Sequence, residues 1–194
     1  MNLIELIKTR RSQRRFLEDE VDSNIIKELL DCAVQAPSSK NIQNWFYIVL
    51  SGDKKEKVID IVLRELESNV RKNSKTSSVE RSCIIMKTAP ILILVFNKST
   101  YLGGEKELIK NPTEDNLLFW NVEIQGVSAA IQNILLAAHS LDLGSLWLAD
   151  ILFARKQICE FLNCKYDLIA GISIGHCVVK DNSIKERNVD VLFL

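Results

Sequence analysis

Glycine is scarce in this 194-residue chain, which has only seven, at positions 52, 103, 104, 126, 144, 171 and 175. None falls in G-x-G-x-x-G or in a loop ending G-K-S/T, which argues against a Rossmann dinucleotide fingerprint and a phosphate-loop NTPase. Net charge is missing too, since 25 Lys and Arg offset 25 Asp and Glu. No broad basic footprint for nucleic acid exists, so any basic patch must be local. The longest apolar run, Ile91 to Phe96, is far too short to cross a bilayer. The opening MNLIELIKTRR lacks the long apolar core and small-residue cleavage site of a secretory signal. Two histidines, His139 and His176, fall in no cluster of cysteines or acidic residues, so no zinc site is expected. Ser38 and Ser39 precede no G-x-S-x-G elbow, which makes a hydrolase a poor reading. The five cysteines (Cys32, Cys83, Cys159, Cys164, Cys177) form no C-x-x-C pair. They read as reduced, mostly buried thiols of a cytoplasmic protein.

What is present is ordinary for a globular chain, with 47% hydrophobic and 26% charged residues. The length predicts a single domain over residues 1–194. Asn2 predicts a cap for a short helix over 2–10, and Asp22 or Ser23 for a second helix ending before Ala36-Pro37. Strands are predicted at Trp45–Leu50, at Ile91–Phe96 (continuous enough to be covered on both faces), at Ser145–Leu148 and at Leu168–Ile174. Helices are predicted over 54–70, 120–141 and 153–162, the middle one carrying Val127, Ala130, Ile131, Ile134, Leu135, Ala138 and Leu141 at the 3.6-residue period. Residues 71–82 read as a polar loop or lid, and 99–118 as irregular. The alternation lacks the rhythm of a doubly wound sheet and predicts an α+β domain, helices packed on a central sheet.

One local cluster breaks the charge balance: Lys8, Arg10, Arg11, Arg14 and Arg15, with Ser12 among them. Cations in the last turn of a helix are favoured by its dipole, by about 0.3–1 kcal/mol each, which accounts for the first two or three. Arg14 and Arg15 follow Ser12 and cannot share that helix end. Guanidinium forks and a hydroxyl suit a phosphate. Lys185 and Arg187 form a second pair, which an extended backbone would turn to one side. Phosphate gripped by side chains from both chain ends is therefore one reading, and a solvated basic surface is the other.

Four motifs in order add to this. They are Arg10-Arg11-Ser12-Gln13-Arg14 with Phe16, and Ala36-Pro37-Ser38-Ser39-Lys40-Asn41-Ile42-Gln43-Asn44-Trp45. The segment QNILLAAHSLDLGSLWL (132–148) follows, then Ile174-Gly175 with the late Lys185-Glu186-Arg187. Together they resemble the nitroreductase family of FMN-dependent oxidoreductases, nearly end to end. The resemblance implies a mostly antiparallel central sheet flanked by helices, in an intertwined homodimer with FMN at its interface. It implies that Arg10, Arg11, Ser12, Arg14, Lys185 and Arg187 hold the flavin phosphate, ribityl chain and pyrimidine edge. Pro37, Ser38, Ser39 and Asn41 would reach the flavin from the other subunit. Backbone around Leu148, Ala149 and Asp150 would donate to flavin N5, and the apolar tail Val189–Leu194 would add to the partner's sheet. It implies ping-pong reduction of nitroaromatics, quinones or similar small acceptors by NADH or NADPH. No catalytic side chain is expected, because the flavin carries the redox chemistry.

Departures from the family pattern carry their own expectations. Asn44 stands where the family has proline, which predicts a looser loop with little effect on the flavin. Ala149-Asp150 replaces a common glycine, placing a carboxylate where it would oppose electron transfer or reshape the pocket. The run Asn116–Trp120 reads as packing, and His139 as a satisfied helix residue rather than a base. A dehalogenase or flavin-cleaving branch of the family, and a flavin-binding sensor without turnover, are the alternative readings.

Overall fold

The structure is a computed structural model that describes residues 2–69, 77–98, 105–178 and 188–192. Its centre is a four-stranded sheet in the order β1-β2-β4-β3, every neighbouring pair antiparallel. The strands are β1 (Trp45–Leu50), β2 (Ile91–Asn97), β3 (Gly144–Leu148) and β4 (Asp167–Gly175). The two central strands are β2 and β4. The predicted α+β class with an antiparallel sheet holds.

Alternation along β2 explains its unbroken hydrophobicity. Leu92, Leu94 and Phe96 face one core, while Ile91, Ile93 and Val95 face the other. Helices α3 (Gly52–Asn69), α4 (Ser77–Thr88) and α7 (Arg155–Phe161) cover the first face, together with the short turn of 3-10 helix Asp150–Ala154. Helices α2 (Ser23–Ala33) and α6 (Glu114–Ser140) cover the second. Burial on both sides removes any need for polar residues within the strand.

Caps fall where the side chains predict them. Asn2 and Glu5 form a reciprocal capping box at α1 (Leu3–Thr9), and the Asp22 carboxylate accepts from the Asn24 N–H at α2. Lys55, 5% exposed, donates to the Lys87 and Ala89 carbonyls at the far end of α4. It satisfies acceptors that a helix end leaves over.

Two expectations need correction. Residues 77–82, predicted as loop, are the first half of α4. Its buried positions Val79, Ser82, Cys83 and Met86 keep helical spacing, but two of them are small or polar and hide the pattern. Residues 99–118, predicted as irregular, contain α5 (Glu105–Lys110) and the start of α6, where the Thr113 hydroxyl accepts from the Asn116 N–H. The run after that cap is not packed in this chain's core: Leu117, Leu118 and Phe119 are exposed. Helix α1 likewise buries none of its residues, leaving Leu3, Ile4 and Ile7 open.

Candidate functional site

The arginine segment lies along the outer edge of β3. Ser12 forms a parallel bridge with Ser145, and Phe16 an antiparallel one with Cys177. Three backbone bonds fix the path: Gln13 N–H to Ser145 carbonyl at 3.0 Å, Leu17 N–H to His176 carbonyl at 2.8 Å, and Val178 N–H to Arg15 carbonyl at 3.2 Å. Two glycines, paired across β3 and β4, make the approach possible. A Cβ on Gly144 would overlap Cys177 Sγ and come within 3.0 Å of Gln13 Cβ; one on Gly175 would meet Pro90 and the Phe16 ring.

Not every arginine of the cluster is equivalent. Arg11 Nη1 donates to the Lys8 and Arg10 carbonyls at 2.7 and 2.9 Å, closing the end of α1. That is the helix-end role expected of the early cations. Arg14 is exposed, with Nη1 on the Ser12 carbonyl at 3.2 Å. Arg10 and Ser12 are half-buried on the same edge. The Thr9 hydroxyl donates to the Glu5 carbonyl at 2.7 Å and lies 3.0 Å from His139 Nε2. Either imidazole tautomer can pair with this hydroxyl, as donor or as acceptor. His139 therefore ties α6 to the start of this segment.

From Ser145 to Leu148 the strand climbs about 10 Å at ~3.3 Å per residue. It carries the exposed Trp147 and ends at the turn Leu148-Ala149-Asp150. The Asp150 carboxylate does not stand open here. Ser82 Oγ donates to it at 2.7 Å, with Ser78 Oγ at 3.5 Å, both from α4. The carboxylate that seemed set to oppose electron transfer is tied to hydroxyls of a neighbouring helix.

The third element is the loop from Pro37 to Asn44. It is a turn of 3-10 helix over Ser39–Asn41, closed by Asn41 and Ile42 N–H groups on the Ser38 and Ser39 carbonyls. Gln43 N–H donates to Ser38 Oγ at 3.1 Å. Lys40, Asn41 and Gln43 have φ of 49°, 55° and 48°. Left-handed backbone costs a non-glycine residue of order 1 kcal/mol or more each unless its surroundings enforce it. Ser38 and Ser39 are half-buried; Pro37 and Asn41 are exposed.

Asn44 is not the loosening residue that the missing proline predicts. It is fully buried, its carboxamide bonded to Asn97 and to the Glu123 backbone, and its own carbonyl accepts from Lys98 N–H at 2.7 Å. Asn97 and Glu123 are functional candidates that motif reasoning passed over. The signal was there, because Glu123 occupies the register that continues as Val127, Ala130 and Ile134, all buried apolar positions.

Lys185 and Arg187 lie outside the described residues. Chain entering that segment leaves from Val178, which is bonded to Arg15. Among the described residues, no group of three or more His, Cys, Asp or Glu is placed to hold a metal, and no helix is long and apolar enough to cross a membrane. Two cavities, of about 540 and 450 Å³, are lined by none of the candidate residues.

An antiparallel sheet with helices on both faces and the basic segment stitched to its edge is an α+β fold, and comparison assigns its family. The chain belongs to the nitroreductase family, whose model matches residues 7–176. A Methanothermobacter thermautotrophicus protein, provisionally named NADH dehydrogenase/NAD(P)H nitroreductase, is 35% identical over 147 residues. That match takes in 76% of this chain but 60% of the relative's length. A BluB-like flavoprotein of Clostridium difficile 630 shares the fold at a TM-score of 0.76 and 28% identity, covering 97% of this chain and 95% of the other. A nitroreductase with bound FMN from Desulfitobacterium hafniense DCB-2 superposes at a TM-score of 0.75 and 19% identity, over 100% and 99% of the two chains. At that identity the likeness speaks for the fold alone.

Proposed function

We propose that this protein is an FMN-dependent oxidoreductase that takes electrons from NADH or NADPH and reduces small acceptors of the nitroaromatic or quinone type. The observation that carries the reading is the stitching of residues 12–17 to the β3 edge and the β4 exit. It puts Arg10, Ser12 and Arg14 on the edge whose strand ends at Leu148-Ala149-Asp150. The names of the flavoprotein and of the archaeal relative point the same way.

The donor set fits a phosphorylated flavin. Half-buried Arg10 and Ser12 and exposed Arg14 offer guanidinium forks and a hydroxyl on one strand edge. Lys185 and Arg187 would complete that grip. Pro37, Ser38, Ser39 and Asn41 would contact a flavin held by the second subunit, while backbone N–H groups at Leu148 and Ala149 would donate to its ring. Arg11 contributes through the end of α1, which it closes. FMN, when bound, supplies the redox chemistry. The protein's part is to orient it, to donate hydrogen bonds where negative charge develops, and to keep Asp150 occupied by Ser82.

A homodimer belongs to this proposal. Leu3, Ile4 and Ile7 of α1, Leu117, Leu118 and Phe119 of α6, and the tail residues Val189, Val191 and Leu192 are all exposed on one chain. Apolar patches on that scale mark surfaces that are covered in the working assembly. A single cytoplasmic domain is part of the same reading.

The test is an absorbance spectrum of purified protein, followed anaerobically on adding NADH or NADPH. Flavin that bleaches and returns with a quinone or nitroaromatic supports the reading and identifies the donor. Flavin that stays oxidised with both nicotinamides overturns the reductase, and protein that binds no added FMN overturns the cofactor.

A further inference from the structure

The loop Pro37–Asn44 makes its own short-range hydrogen bonds, but those bonds alone do not oblige Lys40, Asn41 and Gln43 to stay left-handed. Beside the Lys98 N–H bond to the Asn44 carbonyl, one face of α6 meets the loop at both ends. At the first end, Gly126 lies against the loop backbone: a Cβ there would be 3.4 Å from Ser38 Cβ and 3.5 Å from the Pro37 carbonyl and Ser38 Cα. At the second end, one turn earlier on the same helix, Asn44 Nδ2 donates to the Glu123 carbonyl at 3.1 Å and to Asn97 Oδ1 at 2.7 Å. Asn97 Nδ2 in turn donates to Glu123 Oε2 at 2.9 Å. Residues three apart on a helix share a face, so Glu123 and Gly126 act on the loop together.

The direction of the network is fixed. The Glu123 main-chain carbonyl only accepts, so the Asn44 nitrogen must turn toward it, which leaves Asn97 Oδ1 to accept from Asn44 and Asn97 Nδ2 to donate to the Glu123 side chain. All three side chains are at most 1% exposed, and Asn44 Oδ1 has no partner among the described residues. In a buried polar cluster with one acceptor already unmet, each further hydrogen bond lost adds a desolvation cost. Such a cluster is costly for simple stability, and an apolar trio of the same shape would fill the space more cheaply. Its yield is a defined geometry at the end of the loop.

We propose that Asn44, Asn97 and Glu123 are positioning residues for FMN, holding the Pro37–Gln43 loop in the shape that meets the flavin. This rests on the reading of that loop as a flavin contact.

Two readouts test it, FMN affinity of the apoprotein by flavin fluorescence titration and hydrogen exchange of the peptide 38–44 without FMN. In Glu123→Ala and Asn44→Ser, loop amides at 41–43 are expected to exchange at least tenfold faster and FMN to bind at least tenfold more weakly. Glu123→Gln keeps an acceptor for Asn97 and is expected to stay within threefold of wild type in both. Loop exchange that does not change, or faster exchange with FMN affinity within twofold, overturns the proposal and leaves the network structural. If Glu123→Ala does not fold, Asn44→Ser decides on the same two readouts. Wild-type apoprotein that takes up no FMN overturns the flavin reading itself, and the wild-type curve tells that case from the others.

Discussion

The two segments that carry the candidate flavin contacts differ in how far side chains hold them. Residues 12–17 are fixed by main-chain bonds to Ser145, His176 and Val178, in space that Gly144 and Gly175 leave clear. Residues 37–44 also have main-chain bonds, the Lys98 N–H to the Asn44 carbonyl among them, but add side-chain ties through the Asn44, Asn97 and Glu123 network and the Ser38 hydroxyl. Where main-chain bonds set the path, an exposed side chain such as Arg14 can turn to a ligand and its loss stays local. Where side chains set the path, a substitution several residues away reshapes the contact surface.

The largest effect should come from attacking the room the first segment needs. Gly144→Val puts a branched side chain where Cys177 Sγ and Gln13 already are, and overpacking of that kind costs about 3 kcal/mol or more. Urea unfolding of the apoprotein should show it. An unchanged midpoint would mean that the stitching does not define the segment. Next comes Arg14→Ala, on the exposed part of the same segment. Among the described residues its guanidinium bonds only a local carbonyl, so the apoprotein's unfolding midpoint should not move. A charge-assisted bond to phosphate is worth ~1.5–3 kcal/mol, so FMN affinity should drop between tenfold and a hundredfold or more. A fall in both, or in neither, would break the contrast drawn above.

How much of this was legible in the chain differs by the same division. The arginine segment could be read because its chemistry sits in contiguous residues whose charge nothing else explained. The helix and strand order could be read wherever a buried face carried large apolar groups at one period. Residues 77–82 failed that test because Ser82 and Cys83 occupy the buried register of α4, and 114–119 because the apolar groups there face away from the core. The clamp was illegible for another reason. Asn44, Asn97 and Glu123 are 53 and 26 residues apart in sequence, and only the fold brings them together. Glu123 in an apolar helical register was the one trace a sequence could show.

Alkali offers a probe of both cores, since Cys83 lies in the one that holds Phe16 and Tyr47 packs against the other. Burial pushes the Cys83 thiol up to about 11, with the Asp150 and Glu80 charges adding to it and Lys87 opposing, and burial raises Tyr47 as well. A raised folded-state value means the folded protein holds the proton more tightly. The stability so gained is complete below the unfolded thiol's ordinary range near 9 and is lost as pH rises toward 11. Thermal midpoints should fall across that window, and Cys83→Ala should flatten the fall. A midpoint that holds steady from pH 9 to 11 would show that the Cys83 environment opens to water.

The finest distinction lies at Gly126, where the two ways of holding a loop can be separated by one carbon atom. Gly126→Ala adds a Cβ about 3.4 Å from Ser38 Cβ, ordinary contact distance. In the interior of α6 it also removes glycine's helix penalty of ~0.8–1 kcal/mol. The variant should therefore gain up to ~1 kcal/mol in urea unfolding with FMN affinity unchanged. Gly126→Leu has no such room and should push Pro37 and Ser38 away, weakening FMN severalfold even where the helix itself is stronger. If alanine alone weakens FMN, the loop tolerates less displacement than its contact distances imply. If leucine does not, the Asn44 end holds the loop unaided, and the clamp rather than the helix surface is what shapes it.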